Sequence, residues 1–146
     1  MARIAFKGRV TCEARVENEI DGMRVRTGAM NPSEVRSISI SEVVVDTSSA
    51  SMIALPTRML RQLGLEAPSA TRSWNTTDGE VVKLFGPVRL WVGDRDIVLD
   101  AEEVADGCPV LIGQIPLEHL QLVVDMSNHR LEKSPANGGE WILDMF

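Results

Sequence analysis

The chain has 146 residues, with 15 Lys and Arg against 21 Asp and Glu and a net charge of -6. That length predicts one domain, 1–146, with enough interior to fold without disulfide staples. No apolar run approaches the roughly 20 residues of a membrane span, and the cations are scattered singly rather than gathered into a phosphate-binding face, so neither a membrane nor nucleic acid is an expected partner.

Met1 to Arg9 lacks the apolar core of a signal peptide, which makes the cytoplasm the expected compartment. Phe6 to Val16 alternates in part and predicts a strand. Ile20 to Val25 carries Asp21-Gly22, a hairpin signal. Thr27 to Val35 reads as a loop with a turn starting at Asn31-Pro32. Ile38 and Ile40 alternate with Ser, and Val43, Val44 and Val45 then form a buried central strand.

Pro56 to Gly64 predicts a short helix, with Pro in its first turn, Gly as its stop, and Met59, Leu60 and Leu63 on one face. Ala67 to Ser73 reads as a polar connection. Trp74 to Lys83 predicts a hairpin about Asp78-Gly79, and Val88 to Leu99 another about Gly93-Asp94, with Trp91 in the core. Val110 to Gly113 predicts a short buried strand, and Ile115 to Leu120 a second helix. Leu122 to Asp125 and Leu131 read as strands around a Ser127-Asn128 turn. Ser134 to Gly139 reads as a flexible tail, and the apolar Trp141 to Phe146 needs a partner surface, either its own barrel or another subunit. Many short strands at close spacing and two short helices make a mostly-β barrel or sandwich the expected fold.

Cys12 and Cys108 are far apart and read as buried free thiols. His119 and His129 have no second ligand at metal spacing and read as surface residues. No metal and no cofactor is expected.

The stretch that carries chemistry is Val43-Val44-Val45-Asp46-Thr47-Ser48-Ser49-Ala50. A buried strand that runs into Asp and small hydroxyl residues places a carboxylate at a tight, partly desolvated loop. Such a carboxylate serves as a turn former or helix cap, or as a catalytic acid or base. The residues alone leave both open.

The order of features decides what the chain resembles. An apolar strand ends in Asp46-Thr47, and a Leu-Pro helix closes at Leu63-Gly64-Leu65. A Trp-to-Lys hairpin follows, then Leu111-Ile112-Gly113, a helix through Leu117 and Leu120, and Leu122-Val123-Val124-Asp125. Over about Ile38 to Pro135 this order resembles the retropepsin-like aspartic proteases, in particular the small single-domain bacterial members. The resemblance implies a closed barrel of short strands in the acid-protease fold. It implies a homodimeric endopeptidase in which one Asp46 per subunit activates water against a peptide bond.

It further implies Thr47, Ser48 and Ser49 as support of the active-site loop. Trp74, Thr76, Thr77, Asp78 and Gly79 become a flap over an extended peptide, and Leu111, Ile112 and Gly113 the structural layer under the site. One departure stands out. The family reads Asp-Thr/Ser-Gly, and Ser48 occupies the Gly position. If the backbone there needs a positive φ, Ser is strained. Its hydroxyl could also bond to Asp46 and stabilise the charged form. A catalytically silent dimeric binding module of the same fold is therefore the alternative function. Asp125 echoes Asp46 in sequence but is followed by Met126 rather than a hydroxyl residue, and reads as a turn former.

Overall fold

The computed structural model describes residues 9–49, 51–73 and 81–139. Among the described residues there are three helices and nine strands. They are β1 (Thr11–Asn18), α1 (Glu19–Arg26), β2 (Ser37–Val45), β3 (Ile53–Pro56), α2 (Thr57–Gln62) and β4 (Ala70–Ser73), followed by β5 (Val81–Val92), β6 (Arg95–Val104), β7 (Leu111–Ile112), α3 (Gln114–Leu120), β8 (Leu122–Asp125) and β9 (Arg130–Lys133). Short 3-10 turns cover Pro32–Glu34 and Ala136–Gly139.

Seven strands lie in the order β1-β2-β7-β3-β6-β5-β4, and β1 also pairs with β5. The sheet thus closes a ring through six strands. The closed, mostly-β arrangement expected from the sequence is present, though the ring is not a regular barrel. β7 contributes two residues, the β2–β7 and β3–β6 pairs are parallel, and the remaining pairs are antiparallel. β1, which lies before the stretch 38–135 that carries the resemblance, is what closes the ring.

β2 shows why its residues suit their places. Its Ser-Ile half alternates between exposed and half-buried, and its last three valines are all buried. Where β2 runs between β1 and β7 it is covered on both faces, so alternation gives way to a continuous apolar run. Val43, Val45, Ile53, Leu55, Val88 and Ile112 meet in the interior. α2 adds Leu60 and Leu63 and stops at Gly64, which adopts φ +75.

Several expectations are corrected. Asp21-Gly22 lies inside helix α1 and makes no hairpin. Asn18 caps the helix by accepting from Asp21 N at 3.0 Å. The buried Asp21 carboxylate takes Arg36 Nε at 2.8 Å and Nη2 at 2.9 Å. These bonds from Arg36 hold the carboxyl below its usual range despite its burial. Capping and ion pairing fix α1, so no apolar stripe announces it.

Ala70–Ser73 is a strand on the edge of β5 rather than a polar connection. Trp91 points to the outer face of β5, half-buried, with the Arg15 guanidinium 5.6 Å over its ring, while its neighbour Leu90 fills the core. Cys108 is exposed. Cys12 is half-buried, and burial pushes its thiol up to about 11.

The segment after β9 is tied down where flexibility was expected. The buried Arg95 donates Nη1 to Leu120 O at 2.7 Å and Gln121 O at 3.0 Å, and Nη2 to Gly139 O at 2.7 Å. Trp141 to Phe146 lie outside the described residues. Among the described residues no helix is long and apolar enough to cross a membrane.

Candidate active site

Asp46 stands where β2 leaves the ring. Val44 N and Val45 N donate to Val110 O and Val10 O, both at 2.9 Å, and Asp46 N to Ile112 O at 3.0 Å. The backbone of Asp46 is therefore the last rung of a ladder built from strands distant in sequence. Beyond it Ser49 N returns to Asp46 O at 3.2 Å and closes a tight turn. The side chain of Asp46 is half-buried, while Thr47 and Ser48 are exposed and Ser49 is half-buried.

Ser48 answers the question raised by its place in the motif. It does not adopt a positive φ, so its Cβ brings no left-handed strain. Both of its donors turn to one carboxylate oxygen, Ser48 N at 3.1 Å and Ser48 Oγ at 2.5 Å from Asp46 Oδ1. Among the described residues no donor reaches Asp46 Oδ2. Charge-assisted bonds of this kind fix the rotation of the carboxylate.

The layer beneath the loop is set by Leu111, Ile112 and Gly113. Ile112 is fully buried and supplies the carbonyl for Asp46 N. Gly113 lets the loop backbone lie directly on it. A Cβ at this position would stand 2.7 Å from the Ser51 carbonyl carbon and closer still to its oxygen. Gly113 N donates to Met52 O at 2.9 Å and Gln114 N to Ser49 O at 3.1 Å. Glycine is required here by close approach rather than by φ.

Three contributions had no sequence signal. Ser51 Oγ donates to Oε2 of the buried Glu102 at 3.0 Å, which ties the loop to β6. Arg9 and Val10 reach the site from just before β1. Val124 and Met126 reach it from the β8–β9 hairpin. With Val45, Asp46, Thr47 and Ser48 they line a cleft of about 250 Å³. Only the topology brings these segments together, so their spacing in the chain is uninformative.

Asp125 does not line that cleft. Its carboxylate accepts from Ser127 N at 3.0 Å, Asn128 N at 3.3 Å and Asn128 Nδ2 at 2.6 Å. The Asn128 amide holds its carboxyl below the usual carboxylate range. Trp74, Thr76, Thr77, Asp78 and Gly79 lie outside the described residues, although β4 and β5 on either side pair with Ser73 opposite Val81. His119 and His129 are exposed. Among the described residues no group of three or more His, Cys, Asp and Glu is placed to hold a metal ion.

No protein-family model and no curated protein matches the sequence. Solved structures do match in arrangement. The retropepsin-like aspartic protease from Rickettsia conorii is 21% identical over 60% of this chain and 68% of its own, with a TM-score of 0.42. The EIAV protease, solved with an inhibitor, is 18% identical over 75% of this chain and 86% of its own, also with a TM-score of 0.42. The retroviral protease-like domain of Ddi1 from Leishmania major is 11% identical over 87% of this chain and 89% of its own, with a TM-score of 0.47.

Proposed function

We propose that the chain is an aspartic endopeptidase of the retropepsin-like class, active as a homodimer. One observation carries this reading. Asp46 lines a cleft at the end of a buried strand, with Oδ1 fixed by Ser48 and no donor to Oδ2 among the described residues. A lone carboxylate does not hydrolyse a peptide. Two carboxylates about 3 Å apart share one proton, as in the general dyad of this enzyme class. One takes a proton from water as the water attacks the carbonyl carbon and the other gives a proton to the carbonyl oxygen; the first then passes its proton to the amide nitrogen, the C–N bond breaks, the amine leaves, and the hydroxyl proton returns to the second carboxylate.

Among the described residues one carboxylate of this kind is offered, so the second comes from Asp46 of another copy across a two-fold axis. Thr47 bonds across that axis, and Ser49 steadies the turn behind it. Leu111, Ile112 and Gly113 form the floor. Trp74, Thr76, Thr77, Asp78 and Gly79 close over an extended peptide. No metal or cofactor enters the reaction, and the cytoplasm is the expected setting.

The test is cleavage of a mixed peptide library between pH 4 and 7 by wild type and Asp46→Asn, with mass measured on the same samples. Cleavage lost in a variant that keeps the dimer supports the reading. Absence of cleavage by a well-folded dimer overturns it.

One observation favours a second reading. Ser48 N and Ser48 Oγ both donate to Asp46 Oδ1, so a side chain that the family motif lacks occupies one of the two carboxylate oxygens. The same dimer then serves as a catalytically silent binding module, and Asp46→Ala leaves partner binding intact.

A further inference from the structure

The loop that carries Asp46 runs on to Met52, and a second groove opens there. It has a volume of about 390 Å³ and shares no lining residue with the Asp46 cleft. The buried Leu84 and Leu99 form its floor, and Met52, Val98 and Ile115 its walls. Val98 is 42% exposed and Ile115 44% exposed, so the walls leave apolar surface in water. Gly113 joins the two sites through one backbone. Gly113 N donates to Met52 O at 2.9 Å, Gln114 N donates to Ser49 O at 3.1 Å, and Ile115 follows directly. The groove therefore continues the floor on which the Asp46 loop rests.

The one charge in the lining is Asp100. It lies opposite a bulge in β5, where the register with β6 shifts between Phe85 and Val88. Gly86 in that bulge makes room for the carboxylate. A Cβ there would fall on Asp100 Oδ1 and stand 3.2 Å from Asp100 Cα. Bulges re-aim side chains in this way. Asp100 is half-buried, yet among the described residues no hydrogen-bond donor and no cation reaches its carboxylate. Asp21, Glu19 and Asp96, by contrast, each hold an arginine.

We propose that this groove is a docking site for the substrate outside the Asp46 cleft, and that it takes a basic residue of an extended peptide together with the apolar residues beside it. The inference rests on the endopeptidase reading above for the identity of the occupant. Charge selects that occupant. An ammonium or guanidinium group meets Asp100 while its methylene stem lies along the apolar floor. An acidic residue is repelled by Asp100 and by a chain of net charge -6. A mostly apolar groove with a single placed charge fixes how its ligand lies. A contact so far from the reacting bond holds the ground state and the transition state alike, so it acts on KM and leaves kcat unchanged.

Fluorescence anisotropy on Asp46→Asn protein reads docking without cleavage. The probes are fluorescein-labelled Gly-Leu-Lys-Val-Leu-Gly and the same peptide with Glu in place of Lys. The Lys peptide is expected to bind about tenfold more tightly. Adding Asp100→Asn, which keeps the shape of the side chain, is expected to bring the two peptides within about twofold of each other. Adding Ile115→Ser, a change at an exposed position, is expected to weaken both. Equal binding of the two peptides, or a preference that survives Asp100→Asn, overturns the docking site. In protein that keeps Asp46, Asp100→Asn is expected to raise KM for Lys-bearing peptides about tenfold with kcat unchanged. A fall in kcat at constant KM overturns the proposal, because Asp100 then acts on the chemistry. A Lys preference that depends on Asp100, in a protein that cleaves nothing, supports the groove as a peptide site and removes the endopeptidase reading. Cleavage without that preference does the reverse.

Discussion

The loops after β2 and β8 are built alike and end differently. Each begins with two valines and an Asp, and in each the amide two residues later donates to Oδ1, from Ser48 to Asp46 and from Ser127 to Asp125. Asp125 then spends its remaining capacity on Asn128 and closes its own turn. Asp46 receives the Ser48 hydroxyl on the same oxygen and keeps Oδ2 free of donors among the described residues. One turn consumes its carboxylate and the other presents it. The difference lies beneath the loops. β8 is half of a small hairpin, whereas β2 is locked between β1 and β7 and its loop is pressed onto Gly113.

Four substitutions sharpen that contrast, from the largest effect to the smallest. Asp46→Asn is expected to lower peptide cleavage by on the order of a thousandfold, the scale of losing acid–base catalysis, with the dimer mass unchanged; a mutant that cleaves like wild type would remove Asp46 from the chemistry. Gly113→Ala forces a methyl group into the Ser51 backbone and is expected to cost about 3 kcal/mol by denaturant titration, as for other overpacked sites. An unchanged unfolding midpoint would show that the loop does not rest on this glycine.

Ser48→Ala removes one charge-assisted bond and is expected to slow cleavage about tenfold, in line with about 1.4 kcal/mol, while Ser48→Thr restores the rate. Equal rates in wild type and Ser48→Ala would make the hydroxyl a bystander.

Asp125→Ala is expected to change cleavage least and to lower the melting temperature slightly. Its carboxyl titrates lower in the folded state than in the unfolded one. The stability it contributes is therefore present above the ordinary Asp value near 3.9 and is lost as pH falls through the lower folded value. The melting difference between wild type and Asp125→Ala should be seen at pH 6 and vanish under strong acid. A difference that grows with acidity would contradict the turn-former role.

How much of this was legible in the chain follows from which forces are local. Val43 to Val45 announce a strand covered on both faces, because β-branched residues in an unbroken run suit no other place. Asp46 at its end, the Gly64 stop and the Gly93-Asp94 turn are equally local. Helix α1 was misread because its signal is a cap at Asn18 and ion pairs to Arg36, neither of which has a period. Glu102, Arg9 and Met126 stayed hidden for another reason. Each meets the Asp46 loop from a segment distant in the chain, and a single sequence does not encode which distant segments become neighbours. Ser48 was visible as a departure, but its effect depended on a backbone angle that only the fold supplies.

The two-residue strand β7 has a consequence in time. All the residues of the Asp46 turn leave the ribosome before β7 does, and the carbonyl that receives Asp46 N and the glycine on which the loop lies come with Ile112 and Gly113. A nascent or truncated chain that ends before them holds the whole motif and no site. The Asp46 loop is thus dated by its floor: it is completed only when β7 and Gly113 have been made, after β1 to β6 already exist.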